Sequence, residues 1–424
     1  MSAVVENAPR SERVLAYVYH PRSFATLSLS EASRGLCKLL WIVDTSNEEQ
    51  ASMQRLLKKL GTVVDINGLD LDDAASAIAR FQPEGILTLA DDNLRLCAEL
   101  ASRLGRTFHS PETALTLTDK HFQRAALERA GLAVPRSWVI APSDYRAIWA
   151  TIEHEVNFPA VLKPRRGEAS RDTVPVNSSV ELSALIEEHM ANGKREFVVE
   201  EYIPDAPPGV TGEGFAGYLS VESFVVHGAV VHLAINGRMP QAFPFRETGF
   251  FIPSALEPAT AQAVLDVATA AIGAMDVTTG CFHTEIKLTP RGPVVIEVNG
   301  RIGGGVPEML VAATGVDVLR IAMSLALGDE VDTSAMPPSS CVAYLFYVQA
   351  PTQMHRILAV EGLDELRAMD GVQEVILNRG PGQSVDWREG NHGHVFSVFG
   401  TASDHQGVRL INEANQTIVK IVGE

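Results

Sequence analysis

Two carboxylates, an amide and a guanidinium sit close together late in the chain: Glu285, Glu297, Asn299 and Arg301. Residues 283–288 and 294–298 read as a hairpin turning at Thr289-Pro290-Arg291-Gly292. Side chains alternate along a strand, so Glu297 and Asn299 share one face. The hairpin brings Glu285 alongside them. Two carboxylates and one amide oxygen make a hard-oxygen set of the kind Mg2+ takes, with waters and phosphate oxygens as its other ligands. Val294, Val295, Ile296 and Val298 are apolar and imply burial, and acids in a buried strand need partners or a metal. Arg301, two residues past Asn299, falls on the same side if the strand continues. A fixed cation there suits the charge that develops on a phosphoryl or acyl phosphate.

Cations are expected to face the same place. Lys163 ends an apolar strand over residues 158–164, and Lys120 lies at the start of a helix running from about 118 to 130. The loop that follows Lys163 carries Arg165, Arg166 and Arg171, and reads as a mobile lid over a triphosphate. Residues 197–203 form another strand that ends in Glu200-Glu201-Tyr202-Ile203. Where such a strand opens into loop, its free backbone groups are able to read an adenine edge while apolar side chains hold the ring.

The elements that must position these residues follow from periodicity. The first ~115 residues alternate strands near 14–19, 39–43, 61–66 and 85–89 with helices over 48–60, 71–81 and 94–104, which implies a parallel sheet with helices on its faces. No Gly-rich fingerprint follows the first strand, which argues against a dinucleotide site. A hairpin turns at His227-Gly228, residues 240–253 read as an aromatic-rich loop, and 259–275 as a helix. The last ~95 residues, with strands at 342–348, 372–377 and 394–400, read as a separate small α+β unit.

The 424 residues carry 35 Lys and Arg against 52 Asp and Glu, a net charge of −17. Such a chain is a poor binder of nucleic-acid backbones, and a nucleotide must be captured by a local cluster of cations. No apolar run reaches the ~20 residues that span a bilayer. The polar start, residues 1–14, shows no secretory signal. Four distant cysteines without CxxC spacing read as reduced thiols, as in a cytoplasmic protein.

The order Lys120, Lys163, 200–203, Glu285, Glu297, Asn299, Arg301 resembles the ATP-grasp superfamily of carboxylate–amine ligases. The runs 283–289 and 296–304 are most like those of the L-amino-acid ligase (dipeptide synthetase) subgroup. The resemblance implies an ATP-grasp fold of mixed α/β and α+β class: a parallel α/β domain at 1–115, an ATP-grasp domain at 116–325 and a small C-terminal α+β module at 326–424. It implies an ATP-dependent ligase that joins a carboxylic acid to an amine, amino acids above all, through an acyl phosphate. It assigns ATP contacts to Lys120, Lys163 and Glu200, Glu201, Tyr202 and Ile203. Two Mg2+ ions, or Mn2+ in their place, go to Glu285, Glu297 and Asn299, and the acyl phosphate goes to Arg301. Arg246, Glu247 and His283 are its candidates for substrate contact. No nucleic-acid or membrane partner is implied, and dimers are common in the family. The chain departs from the family pattern in a glycine-poor phosphate loop, and in Tyr218 where a ribose-binding carboxylate is common, which shifts that role to Glu222 or the backbone. A carboxylase of the same fold and a non-catalytic nucleotide binder are the alternatives.

Overall fold

A computed structural model describes residues 13–141, 145–191, 196–331 and 336–424. Most of the polar start lies outside these residues. The first unit is the expected parallel sheet. Its strands run in the order Thr62–Asp65, Lys38–Val43, Val14–Val18, Gly85–Leu87. The central strands are apolar on both faces, as helix-covered parallel strands must be. Ala16, Val18, Leu40, Ile42 and Ile86 form one core with Cys97, Leu100 and Ala101 of the helix Leu94–Leu104. Cys97 and Cys281 are buried, and all four cysteines are free thiols.

A second, antiparallel sheet orders Ser137–Ile140, Phe197–Glu201, Ala160–Pro164 and Val174–Val176. The last of these strands begins inside what the sequence presents as a polar loop at 168–175. Short and proline-bearing, it pairs along the edge of residues 160–162. The helix predicted over about 118–130 is Lys120–Arg129, and a separate helix, Pro111–Thr118, precedes it. Ser110 caps Pro111–Thr118, and Asp119 caps Lys120–Arg129 by accepting from the N–H groups of His121 and Phe122. Asp119 has the extended φ/ψ of a cap residue and so breaks the run.

The largest sheet has eight strands, in the order Gly292–Asn299, Gly280–Thr289, Tyr218–Val226, Ala229–Arg238, Gly249–Ile252, Val342–Val348, Phe396–Ala402, Val372–Leu377. Two expectations change here. The loop predicted over 240–253 ends in the strand Gly249–Ile252, whose apolar run Phe250-Phe251-Ile252 is fully buried. That strand pairs with Ala229–Arg238 on one side and Val342–Val348 on the other. The C-terminal strands therefore continue the central sheet rather than forming a sheet of their own. Among the described residues of this part, only Ile357–Glu361 and Lys420–Gly423 pair separately. Among the described residues no single helix is long and apolar enough to cross a membrane. The bent pair Val306–Thr314 and Val318–Ala326 meets that test jointly, and it packs Met309, Leu310 and Met323 into the core.

Candidate active site

The hairpin of Gly280–Thr289 and Gly292–Asn299 places Glu285 directly opposite Glu297, and His283 opposite Asn299. A bulge at Ile296 follows the first pair, where Glu285 faces Glu297 but Ile286 faces Val295. The extra residue turns the Ile296 carbonyl onto Arg124. Glu285 and Glu297 both line a cavity of about 560 Å3. Asn299 is buried behind them, and its amide donates to the His283 carbonyl at 3.3 Å. The strand stops at Asn299, so Arg301 does not continue its alternation. It sits in the following turn, where Nε and Nη2 each lie 2.8 Å from Asp91, and it lines a second cavity of about 370 Å3. Glu285 borders both cavities.

Among the described residues no three His, Cys, Asp or Glu side chains converge on one point as a metal group. Glu285 and Glu297 share the larger cavity, and Asn299 borders neither cavity. Such an incomplete oxygen set suits Mg2+ when phosphate and water supply the other ligands. Burial opposes charge on Glu285, but His283, Arg238 and Arg301 together hold its carboxyl down at about 2. It is therefore ionised.

Lys120 and Lys163 both line the larger cavity. Lys120 Nζ lies 2.9 Å from Glu297 Oε1 and donates to the Gly167 carbonyl at 2.9 Å, which ties this hairpin to the start of the loop. Lys163 Nζ lies 2.7 Å from Glu200. Glu200 also accepts two bonds from Arg124, at 2.9 and 3.1 Å. Glu200 lines the larger cavity too, and with its oxygens shared between two cations it orients Lys163. Glu201, Tyr202 and Ile203 line the cavity next to it, Glu201 being held by Arg136 at 2.6 Å.

The lid arginines behave differently from one another. Arg165 and Arg166 turn back onto the fully buried Asp119, at 2.9 and 3.2 Å, and only Arg171 of the three borders the larger cavity. A carboxylate buried at a helix start demands cationic partners, and this one takes two. The scarcity of glycine in this loop is met by strain instead. Ala169, Ser170 and Asp172 adopt positive φ of 58°, 55° and 52°.

The substrate candidates separate. His283 and Glu247 line the second cavity, but Arg246 does not border either one. Arg246 is buried and donates to the carbonyls of Phe243 and Ala350, so it braces the loop against the C-terminal part. Glu222 does not reach the larger cavity as a substitute for a ribose carboxylate. It is buried beneath His283, 2.5 Å from its Nδ1, and accepts from the Gly303 N–H and the Asn236 amide. Burial disfavours the imidazolium, but Glu222 and Glu285 outweigh it and raise His283 to about 9. Three contributors had no role assigned from sequence. Arg238, buried and paired with Glu247, ends a strand that runs three residues beyond the hairpin's apolar stretch. Asp91 follows the fourth strand of the first unit, where a strand-end acid is a usable signal. Lys287, two residues after Glu285 and so on the same face, lines the larger cavity beside Tyr202 and Asp205.

Residues 156–308 match the family model of the ATP-grasp domain. Over 290 residues the chain is 26% identical to alanine–anticapsin ligase of Bacillus subtilis, an overlap of 62% of this chain and 58% of that protein. Over 300 residues it is 27% identical to carnosine synthase 1 of Homo sapiens, an overlap of 67% and 34%. The chain thus spans about half or less of the length of these two curated relatives. The crystal structure of L-amino acid ligase from Bacillus licheniformis superposes with a TM-score of 0.78 at 19% identity, covering 98% of this chain and 100% of that one.

Proposed function

This chain carries the ATP-grasp fold with an ATP-grasp domain at residues 156–308, and from that premise we propose that it is an ATP-dependent carboxylate–amine ligase acting on amino acids or similar small molecules. One observation carries the reading: Glu285 borders both cavities, so a phosphoryl group held in the larger one lies next to whatever the smaller one binds. The larger cavity takes ATP, with Lys120, Lys163 and Arg171 toward the phosphates and 201–203 with Lys287 toward the nucleoside. Glu285, Glu297 and Asn299 would hold Mg2+, which would neutralise phosphate charge there.

In the first step a substrate carboxylate oxygen bonds to the γ-phosphorus as the bond to the β,γ-bridging oxygen breaks, giving an acyl phosphate and ADP. In the second an amine nitrogen bonds to the acyl carbon, inorganic phosphate leaves and the nitrogen gives up a proton. No side chain becomes covalently attached. The protein supplies position and fixed charge. Arg301, held by Asp91, lines the second cavity beside Glu285 and supplies a fixed cation there for the negative charge that develops. His283 and Arg238 make the wall of the second cavity cationic, which suits a carboxylate, while Glu247 and Glu168 offer acceptors for an ammonium. Loop 167–172 excludes water, to which an acyl phosphate is vulnerable.

The sequence likenesses to two ligases support this reading. It extends to a cytoplasmic setting, where ATP and free thiols coexist. The test is incubation with ATP, Mg2+ and pooled amino acids, with phosphate release and new amide masses as readouts. Release that depends on an added amine, accompanied by a condensed product, is the expected result. Bicarbonate-dependent release without an amide would instead favour the carboxylase reading. ATP binding with no turnover on any pool would favour a non-catalytic binder.

A further inference from the structure

One residue of the C-terminal part touches the nucleotide loop and the wall of the second cavity at once. The backbone N–H of Asn391 donates to the Ala169 carbonyl at 2.8 Å. Its side-chain Oδ1 accepts from the Glu247 N–H, also at 2.8 Å. Asn391 borders both cavities, and so does Glu247. Its own carbonyl lies 2.8 Å from His394 Nδ1.

The neighbours of Asn391 show that the contact is built in. Asp172 N–H donates to the Arg388 carbonyl at 3.2 Å, and His392 Nε2 lies 3.7 Å from Glu168. Gly390 has φ of 63°, and a Cβ there would come within 2.1 Å of the Ala169 oxygen. Only glycine permits so close an approach of two backbones. The strained residues Ala169, Ser170 and Asp172 are therefore held from outside the loop. Glu247 is fixed in turn by Arg238 and by Gln349, whose amide donates to its carbonyl at 2.8 Å.

We propose that Asn391 is a positioning residue that couples the two cavities, so that closing the phosphate loop over the nucleotide sets the Glu247 wall for the organic substrate, and the reverse. The inference rests on the ligase reading above. Coupling of this kind requires a physical link that both ligands bias, and the Ala169–Asn391–Glu247 chain is such a link. Asn391 takes no part in bond making. Its effect is on how strongly one ligand's presence tightens the other.

The experiment is equilibrium titration of the full chain with AMP-PNP and Mg2+, with and without a saturating mixture of the twenty common amino acids. In the wild type the mixture tightens AMP-PNP by about fivefold or more, a typical coupling. In Asn391→Ala that factor falls toward one, whatever the affinity for AMP-PNP alone. Asn391→Asp keeps an acceptor for the Glu247 N–H and restores most of the factor, which a merely structural role would not require. Gly390→Ala displaces the loop and weakens AMP-PNP binding with or without amino acids. Full tightening in Asn391→Ala, no restoration by Asp, or no tightening in the wild type overturns the proposal. If the wild type does not bind AMP-PNP at all, the ligase reading falls first, and that result is distinct from the others.

Discussion

At the scale of single residues, the site is organised by buried charges that are each answered. Glu200 is the extreme case, a carboxylate enclosed by Arg124 and Lys163. Burial would raise its pKa, but the two cations hold it down at about 2. Above about pH 4.5 the group is ionised in folded and unfolded chain alike, and its full contribution is present. As pH falls from there toward 2, the unfolded chain takes up a proton that the folded chain refuses, and stability is lost. Urea midpoints measured between pH 5 and 3 should therefore fall steeply in the wild type and less steeply in Glu200→Gln. Arg124→Ala leaves that carboxylate half answered and should cost about 3–5 kcal/mol in the same assay. The proposed metal pair, Glu285 and Glu297, behaves differently. Glu297 is partly exposed, but its ion partner Lys120 is buried and would keep only the Gly167 carbonyl, so Glu297→Ala should keep its circular dichroism while its melting temperature falls. It should nonetheless lose roughly a thousandfold or more in amine-dependent phosphate release, a loss of several kcal/mol of transition-state stabilisation. Retained turnover would remove the metal assignment.

At the scale of elements, Asp119 shows how one position serves several ends. It caps the helix that carries Lys120 and Arg124, and it draws Arg165 and Arg166 out of the lid. Asp119→Ala should lower stability by more than the ~1 kcal/mol typical of a cap, because two arginines lose their buried partner. Asp119→Asn keeps the cap and should recover about that fraction, read from denaturant midpoints. The sequence made the acidic hairpin legible because all its information is local: a short turn, alternation, and two acids at matching register. The fates of Arg165 and Arg166 were not legible, because Asp119 lies 46 and 47 positions earlier and no pattern in the loop points to it. Arg246 misled for a related reason. An arginine in an aromatic loop looks like a ligand contact, yet its partner is a backbone carbonyl 104 positions away. The strand Gly249–Ile252 was hidden by its four-residue length inside a proline-rich stretch.

At the scale of the molecule, the alternation of strands and helices revealed the parallel first unit, since periodicity is a property of each segment alone. The union of the central sheet with the C-terminal strands depends on pairings between residues 249–252 and 343–346, which periodicity does not encode. Ligand binding should register across this whole body. AMP-PNP with Mg2+ at a hundred times its dissociation constant should stabilise the fold by about 2.7 kcal/mol, seen as a raised melting temperature. Most of that increment should vanish without Mg2+ or in Glu285→Ala. Equal stabilisation in both cases would place the nucleotide elsewhere.

The shared sheet also constrains how such a chain is able to diverge. Remove residues 326–424 and Gly249–Ile252 becomes an open margin of bare amide and carbonyl groups, an invitation to self-association. Any replacement tail would have to bring a strand of suitable length and twist to that margin, and a loop able to reach Ala169, before it brought anything of its own.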